Sequence, residues 1–189
     1  MIQMNHDCSV VWFPDRHHAE LAINGRLFNL ASCCVETDLT LKEQEERSLL
    51  GGADYYQFHL KLSFEERQRI IERLYSEYIR PHTCSGNVAY VLSCETDMTF
   101  PWGVTWLPST FAEHLYTLHH VPNSRVVSIT YTGTDPRPNI LTAFNIGRWS
   151  EGYFGVIKSI IPLCGAACGL NLGQVIFLYF MVAFLKKFK

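Results

Sequence analysis

The segment from Cys84 to Pro108 constrains the fold of this chain more than any other. It reads CSGNVAYVLSCETDMTFPWGVTWLP, with the cysteine at one end and prolines at positions 101 and 108. Pro81 ends one predicted helix and the next begins at Cys84, so the cysteine lies in a first helical turn whose N–H groups lack intrahelical partners. Such a helix start favours the thiolate, and its N–H groups suit an oxyanion. Cys84 is therefore a candidate nucleophile, with an ordinary buried cysteine as the alternative.

A β-hairpin upstream carries two histidines that are candidates for a base. Asn24-Gly25 is a strong signal for a two-residue hairpin turn. Side chains alternate along a strand, so the His18 ring shares a face with Glu20, while His17 points to the other face. Only one of the two histidines can therefore face Cys84, and a histidine on a strand is also commonly structural. The three strands are expected at residues 9–13, 18–23 and 26–31.

Two further polar residues are candidates for the same site. Asn29 lies on the returning strand, where its amide would orient the imidazole as an amide does in papain-like enzymes. An amide that bonds the backbone at the strand end is the alternative for Asn29. His82 lies two residues before Cys84 and competes as the base, although a residue so close in sequence often contacts the loop backbone instead.

The remaining pattern predicts one α+β domain over residues 1–135. Residues 37–57 predict a loop with a short helix, and the turn-rich segment 132–138 marks the domain edge before a connector over 136–158. Helices are predicted over 63–78, from Cys84 onward and over 110–118. The first and the last of these helices begin with a capping box. A strand is predicted over 127–131.

Composition excludes some classes of function. The net charge of −2 argues against nucleic acid as the main partner, because phosphate binding needs clustered Lys and Arg. The seven cysteines are odd in number and the N-terminus has no signal-peptide pattern, so reduced thiols are expected rather than a disulfide framework. No CxxC pair occurs, so a zinc site has little support and we expect neither a metal nor a cofactor.

The C-terminal segment 159–185 predicts a transmembrane helix, with a buried core helix as the alternative. It contains no charged residue, and about 20 apolar residues span a bilayer as a helix. A basic tail, 186–189, follows directly. Three glycines share one helix face, which favours a homodimer through Gly165, Gly169 and Gly173. We expect a tail-anchored, single-pass membrane protein of the ER or another endomembrane, with its catalytic domain in the cytosol.

Three motifs carry a family resemblance. They are His18-Ala-Glu-Leu-Ala-Ile in the hairpin, His82-Thr-Cys84-Ser-Gly-Asn87-Val-Ala-Tyr-Val-Leu92, and Phe100-Pro101-Trp-Gly-Val104-Thr-Trp-Leu107-Pro108. Together they resemble the permuted papain-fold peptidases of double-stranded RNA viruses and eukaryotes (PPPDE), which include the desumoylating isopeptidases. The chain departs from the family in three features. The block is two residues shorter between Cys84 and the Val88-Ala89 pair, the aromatic residue after the cysteine is missing, and Glu20 stands where an apolar or small residue is usual.

The resemblance implies a permuted papain-like fold and a cysteine isopeptidase, here membrane-anchored, that acts on ubiquitin or SUMO conjugates. Cys84 would attack the carbonyl, and His18, preferred to His17 for its distance from the Asn-Gly turn, would take and return the proton. The hairpin, with Asn29 on its return strand, is also similar to the lecithin:retinol acyltransferase-like enzymes, which implies an acyl-lipid substrate or a thioesterase. A papain-fold binding module without activity is the third alternative.

Overall fold

The computed structural model describes residues 8–30, 39–76, 83–101, 103–136 and 138–147. Within these ranges the strands are β1 (Cys8–Phe13), β2 (His18–Ile23), β3 (Arg26–Phe28), β4 (Tyr55–Leu60) and β5 (Val126–Thr132). The helices are α1 (Leu41–Leu49), α2 (Phe64–Ser76), α3 (Cys84–Glu95) and α4 (Pro108–His119), with a 3₁₀ turn at Val104–Trp106 and a further helical segment over 140–147. The predicted α+β class is confirmed.

The five strands form one antiparallel sheet in the order β3-β2-β1-β4-β5. The hairpin between β2 and β3 turns at Asn24 and Gly25, with φ angles of 50° and 76°, and positive φ at both positions is what a type I′ turn requires. The predicted strands 9–13 and 18–23 are confirmed, whereas the third ends at Phe28. Because Phe13 pairs with His18, the histidine lies at one end of the sheet.

The sheet has two unequal faces. Helices α2, α3 and α4 cover one face, where the fully buried side chains include Trp12, Leu21, Phe58, Ile70, Val88 and Phe111. The opposite face carries a smaller apolar cluster, partly covered by Leu41 of α1, that contains Val11, Phe13, Ala22, Leu27 and Tyr55. Because side chains alternate along β2, His18 and Glu20 belong to the same face as Ala22, beside this smaller cluster.

Strand β4 lies partly in the segment that the sequence predicted as a loop with a short helix. The helix is present as α1, which begins with a capping box between Thr40 and Glu43. β4 follows it and pairs with both β1 and β5, so it is an interior strand. Its sequence, YYQFHL, hides the alternation because both faces carry aromatic or amphipathic side chains. Gln57 is a polar residue that is buried in this strand. Its side-chain amide donates to Ser9 Oγ, so the polar group has a hydrogen-bond partner inside the fold.

Two helix starts illustrate different local chemistry. At α2 the expected capping box is present, because the Ser63 N–H donates to Glu66 Oε2 and the Glu66 N–H donates to Ser63 Oγ. Helix α4 instead begins two residues earlier than predicted, with Pro108 in its first turn. The Thr110 hydroxyl does not cap this helix; it donates to the carbonyls of Val104 and Leu107.

The helical segment 140–147 packs on the main sheet. Phe144 is 2% exposed and its ring stacks on Trp12 with the centroids 5.2 Å apart. A Cβ atom added to Gly147 would lie 3.3 Å from the Trp12 ring, so the backbone approaches the core closely here. The contacts within the chain divide it after Arg148, so part of the segment predicted as a connector belongs to the same compact unit as the sheet.

No helix in the described ranges is both long and apolar enough to cross a bilayer. The longest described helix, α2, has 13 residues, whereas a span needs about 20. This finding contradicts the predicted transmembrane helix and the predicted single-pass membrane localisation, and neither is carried further. The segment 159–185 on which both predictions were based, with the glycines of the predicted homodimer contact, lies outside the described residues.

Candidate active site

Cys84 is the first residue of α3, as the sequence predicted, and it is 9% exposed. The hydroxyl of Thr83 caps the helix by accepting from the Gly86 N–H at 3.0 Å, and the Thr83 carbonyl accepts from the Asn87 N–H at 2.9 Å. These bonds occupy the later donors of the first turn. The N–H groups of Cys84 and Ser85 are the earlier donors, which an α-helix leaves without intrahelical partners.

Packing of α3 against β2 brings this helix start to the hairpin. Val88, Val91 and Leu92 are fully buried and form the inner side of the helix. Asn87 is also fully buried, and its side-chain N–H donates to the Leu30 carbonyl at 2.6 Å, just after β3. A buried amide with a satisfied donor is a directional tie, so it positions the start of α3 relative to the hairpin.

His18 makes two interactions that define its protonation state. It forms a side-chain hydrogen bond with Cys84, and its Nε2 lies 3.1 Å from Glu20 Oε1. Burial lowers the pKa of His18, but the hydrogen bonds and negative charges of Cys84 and Glu20 outweigh it and raise the pKa from 6.5 to about 10. The imidazole is therefore protonated at neutral pH and places a positive charge beside the sulfur. A helix start and an adjacent imidazolium both favour a cysteine thiolate.

Glu20 is the residue of the site that the sequence analysis missed as a functional group. Its side chain is 13% exposed, and its Oε1 lies 3.1 Å from His18 Nε2. The imidazole that bonds Cys84 therefore also contacts a carboxylate, which is the third group of catalytic triads. The signal was present in the sequence, because His18 and Glu20 are two residues apart on one strand, and side chains at that spacing lie on the same face of the sheet. The comparison with a family pattern marked Glu20 only as a departure.

The two hairpin histidines differ in backbone as well as in direction. His18 begins β2, whereas His17 lies in the preceding turn with a φ of 50°, in the left-handed region. Burial lowers the pKa of His17, and Asp15 offsets this only in part. The structure therefore brings His18, and not His17, to Cys84. The competing base His82 lies outside the described residues.

The predicted orienting role of Asn29 stays a prediction. Asn29 lies directly after β3 and is partly buried. Extending the β2–β3 register by one pair from Leu21 and Phe28 places Asn29 opposite Glu20, and directly opposed side chains are near enough to interact. The groups that raise the His18 pKa are Cys84 and Glu20.

The other thiols lie away from this arrangement or outside the described residues. Cys8 is buried in β1, and Cys94 is an exposed free thiol near the end of α3. In the part of the chain that the structure describes, no group of three or more His, Cys, Asp or Glu residues is arranged to hold a metal ion.

Comparisons with known proteins identify no relative: no family model, no curated protein and no solved structure matches the chain. The resemblance to the PPPDE peptidases therefore stays a prediction.

Proposed function

We propose that this protein is a cysteine hydrolase with Cys84 as the nucleophile, His18 as the acid and base, and Glu20 as the residue that holds the imidazolium. The observation that carries the proposal is the chain of contacts from thiol to imidazole to carboxylate at a helix start. A nucleophile in contact with a base that a third group orients is the general signature of nucleophilic catalysis. A purely structural cysteine would not need to lie at a helix start, in contact with an imidazole that a carboxylate holds.

The proposed reaction begins with attack of the Cys84 thiolate on a carbonyl carbon. The oxyanion that forms would accept hydrogen bonds from the N–H groups of Cys84 and Ser85 at the start of α3. The His18 imidazolium then donates its proton to the leaving amine as the carbon–nitrogen bond breaks, which leaves a thioester on the cysteine. Neutral His18 takes a proton from water, the resulting hydroxide attacks the thioester, and the carboxylic acid and the thiolate separate.

The substrate class that we propose is an isopeptide or peptide bond to a ubiquitin-like modifier, SUMO or ubiquitin. Support comes from the three motifs that resemble the desumoylating isopeptidases, two of which contain the Cys84 and His18 of this site. The Glu20 carboxylate extends the cysteine–histidine pair that this resemblance implies.

The test uses the full chain and ubiquitin and SUMO derivatives that carry a C-terminal electrophile. We expect covalent labelling of the wild type and none of Cys84→Ala. Cys94→Ala is the matched control, because Cys94 is an exposed free thiol on the same helix, and it should label like the wild type. A second reagent, iodoacetamide at neutral pH, reports the reactivity of the thiol independently of the modifier.

Two results would contradict the proposal in different ways. If neither modifier labels the protein while iodoacetamide still modifies Cys84 rapidly, the isopeptidase assignment is wrong, and acyl lipids or thioesters become the substrates to test. If Cys84 reacts no faster than Cys94 with iodoacetamide, the thiol is not activated, which overturns the hydrolase proposal and favours a binding module.

A further inference from the structure

Trp106 is a large, exposed aromatic side chain on a turn that is bonded to both neighbours of the candidate nucleophile. It ends the 3₁₀ turn, and 56% of its surface is exposed. The carbonyl of the preceding residue, Thr105, accepts hydrogen bonds from Thr83 Oγ1 at 2.9 Å and from Ser85 Oγ at 2.8 Å. Thr83 and Ser85 are the residues on either side of Cys84, so Trp106 is one residue from a direct attachment to the start of α3.

The turn that carries Trp106 is held on both sides. At its beginning, Gly103 has a φ of 90°, a left-handed conformation that glycine adopts without strain. At its end, the Thr110 hydroxyl donates to the carbonyls of Val104 at 2.7 Å and Leu107 at 2.9 Å. A rigid aromatic residue loses little conformational entropy when a ligand covers it, which is why such residues dominate binding sites.

We propose that Trp106 is a specificity-determining residue whose indole face binds the peptide segment leading into the scissile carbonyl; this inference rests on the proposed hydrolase function. An extended chain advances about 3.3–3.6 Å per residue. A substrate whose carbonyl carbon lies at the Cys84 sulfur therefore passes the turn within its next few residues. The attachment of Thr105 to both neighbours of Cys84 fixes the turn that carries the indole beside the start of α3.

The chemistry of an indole face selects the kind of segment that binds there. Tryptophan offers about 150–250 Å² of surface that is largely apolar, so covering it favours binding. A peptide plane can lie flat on the ring only where no bulky side chain intervenes, and glycine meets this condition best because it has no Cβ. The expected substrate segment is thus extended and rich in small residues, as in the Gly-Gly tail of a ubiquitin-like modifier.

The test compares Trp106→Ala and Trp106→Phe with the wild-type full chain, using a ubiquitin or SUMO derivative with a C-terminal propargylamide. We expect labelling of Trp106→Ala to be at least about tenfold slower, as for a central aromatic contact, and Trp106→Phe to recover most of the rate. The matched control is Tyr90→Ala, an exposed aromatic residue of α3 whose ring contacts Arg73 instead, and its rate should not change. Iodoacetamide should modify Cys84 equally fast in all four proteins.

The outcomes separate this inference from the proposed function. If the wild type is labelled and Trp106→Ala is labelled at the same rate, the tryptophan does not bind the substrate, although the hydrolase proposal stands. If iodoacetamide modification of Trp106→Ala slows in parallel with labelling, the residue acts on the thiol itself and the inference is equally wrong. Absence of labelling in the wild type overturns the proposed isopeptidase function and this inference with it.

Discussion

Replacing Glu20 with glutamine removes the carboxylate that holds the His18 imidazolium while keeping the size of the side chain. The glutamine carbonyl oxygen can still accept the ring N–H, so the variant separates charge from orientation. Because the pKa of His18 is raised to about 10, the ring is protonated at neutral pH and loses its proton as the pH rises through that value. The protonated ring donates to the leaving amine, so activity should fall on the alkaline side of the pH profile.

The expected size of the change follows from the 3.1 Å contact between His18 Nε2 and Glu20 Oε1. An opposite charge at such a distance changes a pKa by about 1–3 pH units, so the alkaline limb should move down by about that amount in Glu20→Gln. The pKa of His18 in the variant should stay above 6.5, because Cys84 continues to raise it. The hydrogen bond to the ring remains in Glu20→Gln but loses its charge. A hydrogen bond to a charged group contributes about 1.5–3 kcal/mol and a neutral one about 0.5–1.5 kcal/mol, so the rate at neutral pH should be about 5–15-fold lower.

The assay is the hydrolysis of a fluorogenic C-terminal amide of ubiquitin or SUMO, with kcat/KM measured from about pH 6 to about pH 11. Glu72→Gln is the matched control, because Glu72 lies exposed on α2 and its replacement changes the net charge equally. Coincident alkaline limbs for Glu20→Gln and the wild type would refute the role of the carboxylate. An equal shift of the alkaline limb in Glu72→Gln would show that the net charge of the protein, rather than the contact with His18, determines the pH at which activity falls.

Two further predictions follow from the geometry. His18→Ala should abolish labelling by the modifier probes while His17→Ala keeps most of it, because His18 is the residue of this pair that has a hydrogen bond with Cys84 and a raised pKa; equal losses would contradict this assignment of the base. Phe144→Ala should lower the free energy of unfolding by about 3–5 kcal/mol in denaturant titrations, as for other buried aromatic residues, whereas Leu141→Ala, on the exposed side of the same segment, should change it by no more than about 0.5 kcal/mol. Similar small effects of both would mean that 140–147 is not part of the folded core.

The sequence was most informative where a structural signal lies within a few residues. The Asn24-Gly25 turn determined the hairpin, and the strand that begins at His18 has the predicted bounds. The start of α3 at Cys84 was likewise predicted correctly, since a breaking proline and a capping threonine act locally. These signals concern backbone conformation, which neighbouring residues largely decide.

The sequence misled where a side chain has two possible environments. The first residues of β4 were included in a predicted loop because the segment 37–57 is polar and contains glycines, yet Gln57 is buried beside Ser9 on the neighbouring strand. Thr110 has the spacing of a helix cap, yet its hydroxyl bonds two carbonyls of the preceding turn. In each case a distant or adjacent partner, absent from any local pattern, satisfies the polar group.

By itself the sequence determined the two local elements of the site, a histidine at a strand start and a cysteine at a helix start. Only the tertiary structure decided that these two side chains meet, because packing of α3 on β2, with Asn87 bonded to the Leu30 carbonyl, sets their separation. The role of Glu20 depends on the same packing. A carboxylate beside a histidine on an exposed strand is an ordinary surface pair that contributes little. Here the pair is partly buried and the histidine also bonds a thiol, so the contact between Glu20 and the ring affects the chemistry of the site.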